Sequence, residues 1–89
     1  MSIKIKVSLD LRRLINHTEV VEVNGSTVGE CLKHLVEQFP LFGDRLFSKQ
    51  GLLLYVNIYV NGENAYPESL AKPVRDGDEI SITNVLGGG

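Results

Sequence analysis

Ile3, Ile5, Val7 and Leu9 alternate with Lys4, Lys6 and Ser8, the period of two that a strand shows when one face is buried and the other meets water. Arg12 to His17 reads as a turn. Glu19-Val20-Val21-Glu22-Val23 is short and β-branched, as an antiparallel return strand would be. Asn24-Gly25 breaks that strand, and Thr27-Val28-Gly29-Glu30 has the form of a capping box, in which a hydroxyl and a carboxylate satisfy free N–H groups at a helix start. Val28, Leu32, Leu35, Val36 and Phe39 then recur at helical spacing, a stripe suited to lie across the apolar face of the hairpin, and Pro40 ends the helix.

Leu41 to Gly51 is irregular, a loop with room for one helical turn and with Leu46 and Phe47 as anchors. Alternation returns from Tyr55 to Val60: Val56, Ile58 and Val60 share one face, and Tyr55, Asn57 and Tyr59 the other. Asn61-Gly62 is a hairpin turn. Pro67 and Pro73 keep the next stretch extended, with Leu70 as the buried anchor of a short edge segment. Asp76-Gly77-Asp78 forms a tight turn into a last strand, Glu79-Ile80-Ser81-Ile82-Thr83. The order β-β-α-β-(β)-β predicts an α+β fold, a mixed sheet of four or five strands with one main helix on one face and the terminal strands paired at its centre.

With 89 residues the chain has room for one modest core and none for a deep enclosed active site. Nine basic and eleven acidic residues without a Lys/Arg block exclude an electrostatic footprint for nucleic acid. Charge is uneven, however. Lys4, Lys6, Arg12 and Arg13 crowd the start, whereas Glu63, Glu68, Asp76, Asp78 and Glu79 gather near the end, where an acidic flank beside the C-terminus would steer a basic partner. A single cysteine, no signal-peptide pattern and no apolar run near ~18 residues point to a cytoplasmic protein rather than a secreted or membrane one.

Four groups invite an enzymatic reading. Cys31 lies beside the helix stripe, where a thiol behaves as a small hydrophobe. His17 and His34 lack the paired spacing of metal ligands and read as surface residues, so no metal site is expected. Asp76, Asp78 and Glu79 are explained by turn chemistry. Tyr55 and Tyr59, four apart on a strand and so on one face, form either a docking patch or an ordinary cross-strand pair.

The end of the chain is different. Gly87-Gly88-Gly89 arises by chance at roughly a few in ten thousand, given average glycine usage. Lacking Cβ atoms, such a tail threads a channel too narrow for side chains and presents its carboxylate inside another protein. Residues 84–89 reach roughly 20 Å when extended. We therefore expect a folded domain over residues 1–84 and a flexible tail over 85–89.

Val56-Asn57-Ile58-Tyr59-Val60-Asn61-Gly62, Leu70, Val74-Arg75-Asp76-Gly77-Asp78-Glu79-Ile80 and Gly88-Gly89, taken in order, resemble the sulfur-carrier branch of ubiquitin-like β-grasp proteins. This MoaD/ThiS-like family includes the small subunit of molybdopterin synthase, the thiamine sulfur carrier and carriers for cysteine biosynthesis. The resemblance implies that an E1-like enzyme uses ATP to adenylate Gly89 and that a persulfide donor converts the adenylate to a thiocarboxylate. Gly87 and Gly88 then thread, and Leu86, with Tyr55 and Tyr59, contacts the partner. It also implies that the chain binds no cofactor itself and acts as a co-substrate, not an enzyme. Its sulfur acceptor would be an enzyme such as the molybdopterin synthase large subunit, with cysteine biosynthesis next and thiamine biosynthesis a further alternative, because Leu41 to Leu54 is long, as in the molybdopterin and cysteine-pathway carriers, where the thiamine carriers are shorter. Two other classes remain: a modifier joined to lysines through the same glycine, and a passive binding module that ignores its tail.

Overall fold

A computed structural model describes residues 2–48, 51–52 and 56–84. β1 spans Ser2–Val7 and a 3-10 helix spans Leu9–Ile15; β2 spans Val20–Asn24 and α1 spans Val28–Gln38. A 3-10 turn, Pro40–Phe42, leads into the short α2, Gly43–Leu46, and a two-residue hairpin, β3 (Phe47–Ser48) with β4 (Gly51–Leu52). β5 (Val56–Val60), β6 (Glu63–Asn64), a 3-10 turn at Ser69–Ala71 and β7 (Glu79–Asn84) complete the chain.

The main sheet has the order β2-β1-β7-β5-β6. The terminal strands β1 and β7 pair in parallel at its centre, with Ile5 opposite Ile80 and Val7 opposite Ile82, while every other pairing in this sheet is antiparallel. This is the expected β-grasp, with five strands and one main helix on one face. The inward residues of β1, β2, β5 and β7 are buried: Ile3, Ile5 and Val7; Val21 and Val23; Val56, Ile58 and Val60; Ile80 and Ile82. Val28, Cys31, Leu32 and Leu35 of α1 pack on them, with Val36 and Phe39 half-buried beside them. Each fully buried aliphatic side chain contributes roughly 1.5–3 kcal/mol.

Thr27 caps α1 as expected, its Oγ1 accepting from the Glu30 N–H at 3.2 Å. The Glu30 carboxylate reaches one residue further back than in a standard capping box, accepting from Ser26 N–H at 2.7 Å and Ser26 Oγ at 2.8 Å. These bonds hold the Glu30 carboxyl below its ordinary range. Gly25 does more than break β2: a Cβ there would lie 2.9 Å from both the Cys31 nitrogen and Sγ, so only glycine lets the chain pass the helix start this closely.

Three sequence expectations change. Leu9 does not continue the alternation of β1; it is 76% exposed, because the chain turns at Ser8 and the next inward residue is Leu11. The stretch read as a turn is the 3-10 helix Leu9–Ile15, which buries Leu11, Leu14 and Ile15 and ends where Asn16 and His17 adopt left-handed φ of 58° and 59°. Leu70 lies on the 3-10 turn and is half-buried; the sheet edge is instead β6, directly after Asn61-Gly62, whose φ of 51° and 86° are those of a type I′ hairpin turn. In the Leu41–Gly51 segment Leu46 is buried as an anchor and Phe47 half-buried, with Phe42, a further fully buried anchor, beside them.

Candidate functional site at the two ends of β7

The glycine tail continues in sequence from the end of β7, so the surroundings of that strand frame the site. Tyr55, Leu86, Gly87, Gly88 and Gly89 lie outside the described residues. Tyr59 is half-buried on the outward face of β5, opposite Ser81 on β7 and Asn64 on β6; Ser81 in turn lies opposite Lys6 on β1. Tyr59 thus lies on the open sheet face, the side not covered by α1, one strand in from the β6 edge.

At the start of β7 the acidic residues are tied into the fold. Asp78 accepts from Asn61 Nδ2 at 3.0 Å and from Arg75 N–H at 2.8 Å, bonds that lower its carboxyl pKa, with the Asn61 bond the larger cause. Asn61 Oδ1 accepts from Glu79 N–H at 2.9 Å, and Asp76 accepts from Ser2 N–H at 2.7 Å. Gly77, at φ 88°, turns the chain so that its N–H donates to Ser2 O. Glu79 pairs with Lys6 at 3.6 Å on the exposed face. This network joins the β5–β6 turn, the turn before β7 and the start of β1.

The acidic turn and the described end of the chain lie at opposite ends of β7. The turn stands at the beginning of β7, and the tail continues from Asn84, five residue steps on, or roughly 17 Å at ~3.3 Å per residue. The clustered acids precede a strand that carries the chain away from them as far as Asn84.

What neighbours the far end follows from the parallel pairing of β1 and β7. Ser8 N–H donates to Ile82 O at 3.0 Å, and Asn84 pairs with Val56. The 3-10 helix beginning at Leu9 is therefore mounted beside the end of β7. Arg12 is half-buried, its Nε donating to Val7 O at 3.4 Å, and Arg13 is exposed; among the described residues neither makes an ion pair. In the sequence these arginines read only as part of a basic start; the signal that places them is strand direction.

The remaining candidates are structural. Cys31 is completely buried, and burial, then the charge of Glu30, pushes its thiol up to about 11, so at neutral pH it is not the thiolate a nucleophile requires. His34, expected at the surface, is half-buried because its Nδ1 accepts from Asn24 N–H at 2.8 Å, tying α1 to the end of β2; His17 is exposed. Among the described residues no three His, Cys, Asp or Glu side chains come together to hold a metal, and no helix is long and apolar enough to cross a membrane.

Comparison with known proteins agrees with this architecture. No curated protein is significantly similar in sequence. SAMP1 from Haloferax volcanii is 30% identical, with all of both chains covered and a TM-score of 0.87. A chain of the Amycolatopsis orientalis BexX/CysO complex is 27% identical, with 98% of this chain and 99% of that one covered and a TM-score of 0.89. A putative molybdopterin converting factor, subunit 1, from Pyrococcus furiosus is 21% identical over 94% of this chain and 97% of that one, TM-score 0.75, and shares the fold. The model of the ThiS family matches residues 5–89, from β1 through the last glycine. The chain belongs to the ThiS family, the MoaD/ThiS-like sulfur carriers of ubiquitin-like fold that its sequence resembles.

Proposed function

We propose that this chain carries sulfur as a thiocarboxylate on Gly89. One observation carries the reading: the family match extends to residue 89 and so takes in the terminal glycines. The Gly89 carboxylate attacks the α-phosphate of ATP in an E1-like partner and expels pyrophosphate. The terminal sulfur of a cysteine persulfide then attacks the acyl-adenylate and displaces AMP. A second thiol cleaves the resulting acyl disulfide, becoming oxidised with the donor cysteine to a disulfide and releasing the thiocarboxylate. Adenylation is needed because a carboxylate oxygen is a poor leaving group. The partner supplies ATP and the catalytic groups, and this chain is a co-substrate.

The acceptor we favour is a molybdopterin synthase large subunit, although the long Leu41–Leu54 segment is shared by carriers of the molybdopterin and cysteine pathways. Delivery into cysteine synthesis is the alternative, supported by the 27% identity to a chain of the BexX/CysO complex. Conjugation to lysines is a second reading, supported by the 30% identity to SAMP1 along the whole chain, a protein named as a small archaeal modifier. Recovering the chain from its own cells under denaturing, reducing conditions separates these readings. The carrier reading expects free thiocarboxylate and no lysine-linked adducts; adducts without thiocarboxylate would replace it with the modifier. Deleting Gly88-Gly89 should abolish molybdoenzyme activity; cysteine auxotrophy instead would redirect the sulfur, and unchanged growth and enzyme activities would sink every tail-based reading.

A further inference from the structure

The 3-10 helix Leu9–Ile15 has a periodicity that the tail alone does not explain. Residues three apart in a 3-10 helix stack on one face. Leu11 and Leu14 share the face turned into the core, 4% and 7% exposed. Leu9 and Arg12 share another, where Leu9 is 76% exposed. Arg12 is held in place by donation of its Nε–H to Val7 O, which leaves both terminal guanidinium nitrogens without a hydrogen-bond or ion-pair partner among the described residues. A large apolar side chain and an anchored guanidinium therefore stand together on a rigid mount, one residue after Ser8, whose N–H is bonded to β7 two residues before Asn84.

We propose that Leu9 and Arg12 form a docking element for the enzyme that activates the tail, with Leu9 seated in an apolar notch and Arg12 bidentate on a carboxylate at the rim of the tail pocket. The inference rests on the activation reading above and adds the surface through which the activating enzyme grips the domain. Charge argues for an acidic rim. Lys6, the nearest basic side chain on β1, is engaged by Glu79 toward the other end of the strand, so the cations offered at the tail end are the guanidinium groups of Arg12 and the exposed Arg13, of which Arg12 is the one tied to the backbone. Guanidinium fixed at its Nε side presents a planar fork suited to carboxylate. Both side chains lie on the folded domain, so they act on encounter and binding and leave the chemistry at Gly89 untouched.

The test is ATP–pyrophosphate exchange by the E1-like enzyme of the same organism, measured against carrier concentration for wild type, Leu9→Asp, Arg12→Met, Arg12→Glu and the charge-matched control Arg75→Glu at the opposite end of β7. We expect Arg12→Glu to raise KM about tenfold or more with kcat unchanged. Arg12→Met and Leu9→Asp should raise it less, Arg75→Glu should not change it, and added salt should raise KM for wild type more than for Arg12→Met. Thermal melting identifies any variant that fails to fold, and Leu9→Asp, at an exposed position, then carries the test. Folded Arg12 and Leu9 variants with wild-type KM would overturn the docking element alone. Wild type that supports no exchange would overturn the activation reading and this inference with it.

Discussion

The start and the end of β7 use their polar groups in opposite ways. At the start, Asp76, Asp78 and Glu79 bond to Ser2, Asn61, Arg75 and Lys6, and the turn is closed on itself. At the end, Arg12 and Arg13 have no ion-pair partner among the described residues, and Leu9 stands in water. The most charged stretch of the sequence is scaffold, and the less conspicuous segment after β1 holds the free chemistry. Density of charge in a sequence is thus a poor guide to a site; whether the charges are already satisfied decides.

Changes to the strand that both ends share should have the largest effect. Ile80 is fully buried in the central strand between β1 and β5, so Ile80→Ala should cost about 2–5 kcal/mol in urea unfolding. A loss below 1 kcal/mol would mean that the central pair is not the keystone described. Next is Gly88→Val, which should leave the thermal midpoint unchanged while lowering adenylation by about a hundredfold, the scale of a misplaced reacting group. Normal exchange would contradict threading.

Asp78→Ala sharpens the comparison from the other side. It removes the acceptor for Asn61 Nδ2 and Arg75 N–H and should cost about 1 kcal/mol of stability with activation unchanged. A tenfold fall in activation by a folded Asp78→Ala protein would make the acidic turn part of the partner surface. The smallest effect is on pH. Asp78 and Glu30 have folded pKa values below their ordinary 3.8 and 4.5, so the unfolded chain binds protons more tightly. The stability they add is present above those ordinary values and is lost as pH falls through the lower folded ones. The urea midpoint should fall on acidification through this range, and by less in Glu30→Gln/Asp78→Asn; equal slopes would remove these two carboxylates from the account.

Most of the scaffold was legible because its period is long enough to read. Four strands, β1, β2, β5 and β7, and the α1 stripe emerged from alternation at two, β-branched composition and spacing at three to four residues, and Asn61-Gly62 and Asp76-Gly77-Asp78 from turn chemistry. The 3-10 helix escaped because Leu11, Leu14 and Ile15 are too few to separate a period of three from a turn, and because Leu9 extends the alternation of β1 in the sequence. Phe42 escaped because a burial set by tertiary packing leaves no local pattern. β6 escaped because a two-residue polar edge strand has no hydrophobic face to read. At the site, Gly87-Gly88-Gly89 was conspicuous by composition, whereas Leu9 and Arg12 acquire meaning only once β1 and β7 are known to run parallel.

The central claim is that Gly89 carries sulfur. Its most direct test is intact-protein mass spectrometry after incubation with ATP, the activating enzyme and a persulfide donor. The account predicts a mass gain equal to one sulfur replacing one oxygen, localised by fragmentation to Gly89 and absent without ATP. An unchanged mass, with an enzyme shown to be active on another carrier, would contradict it.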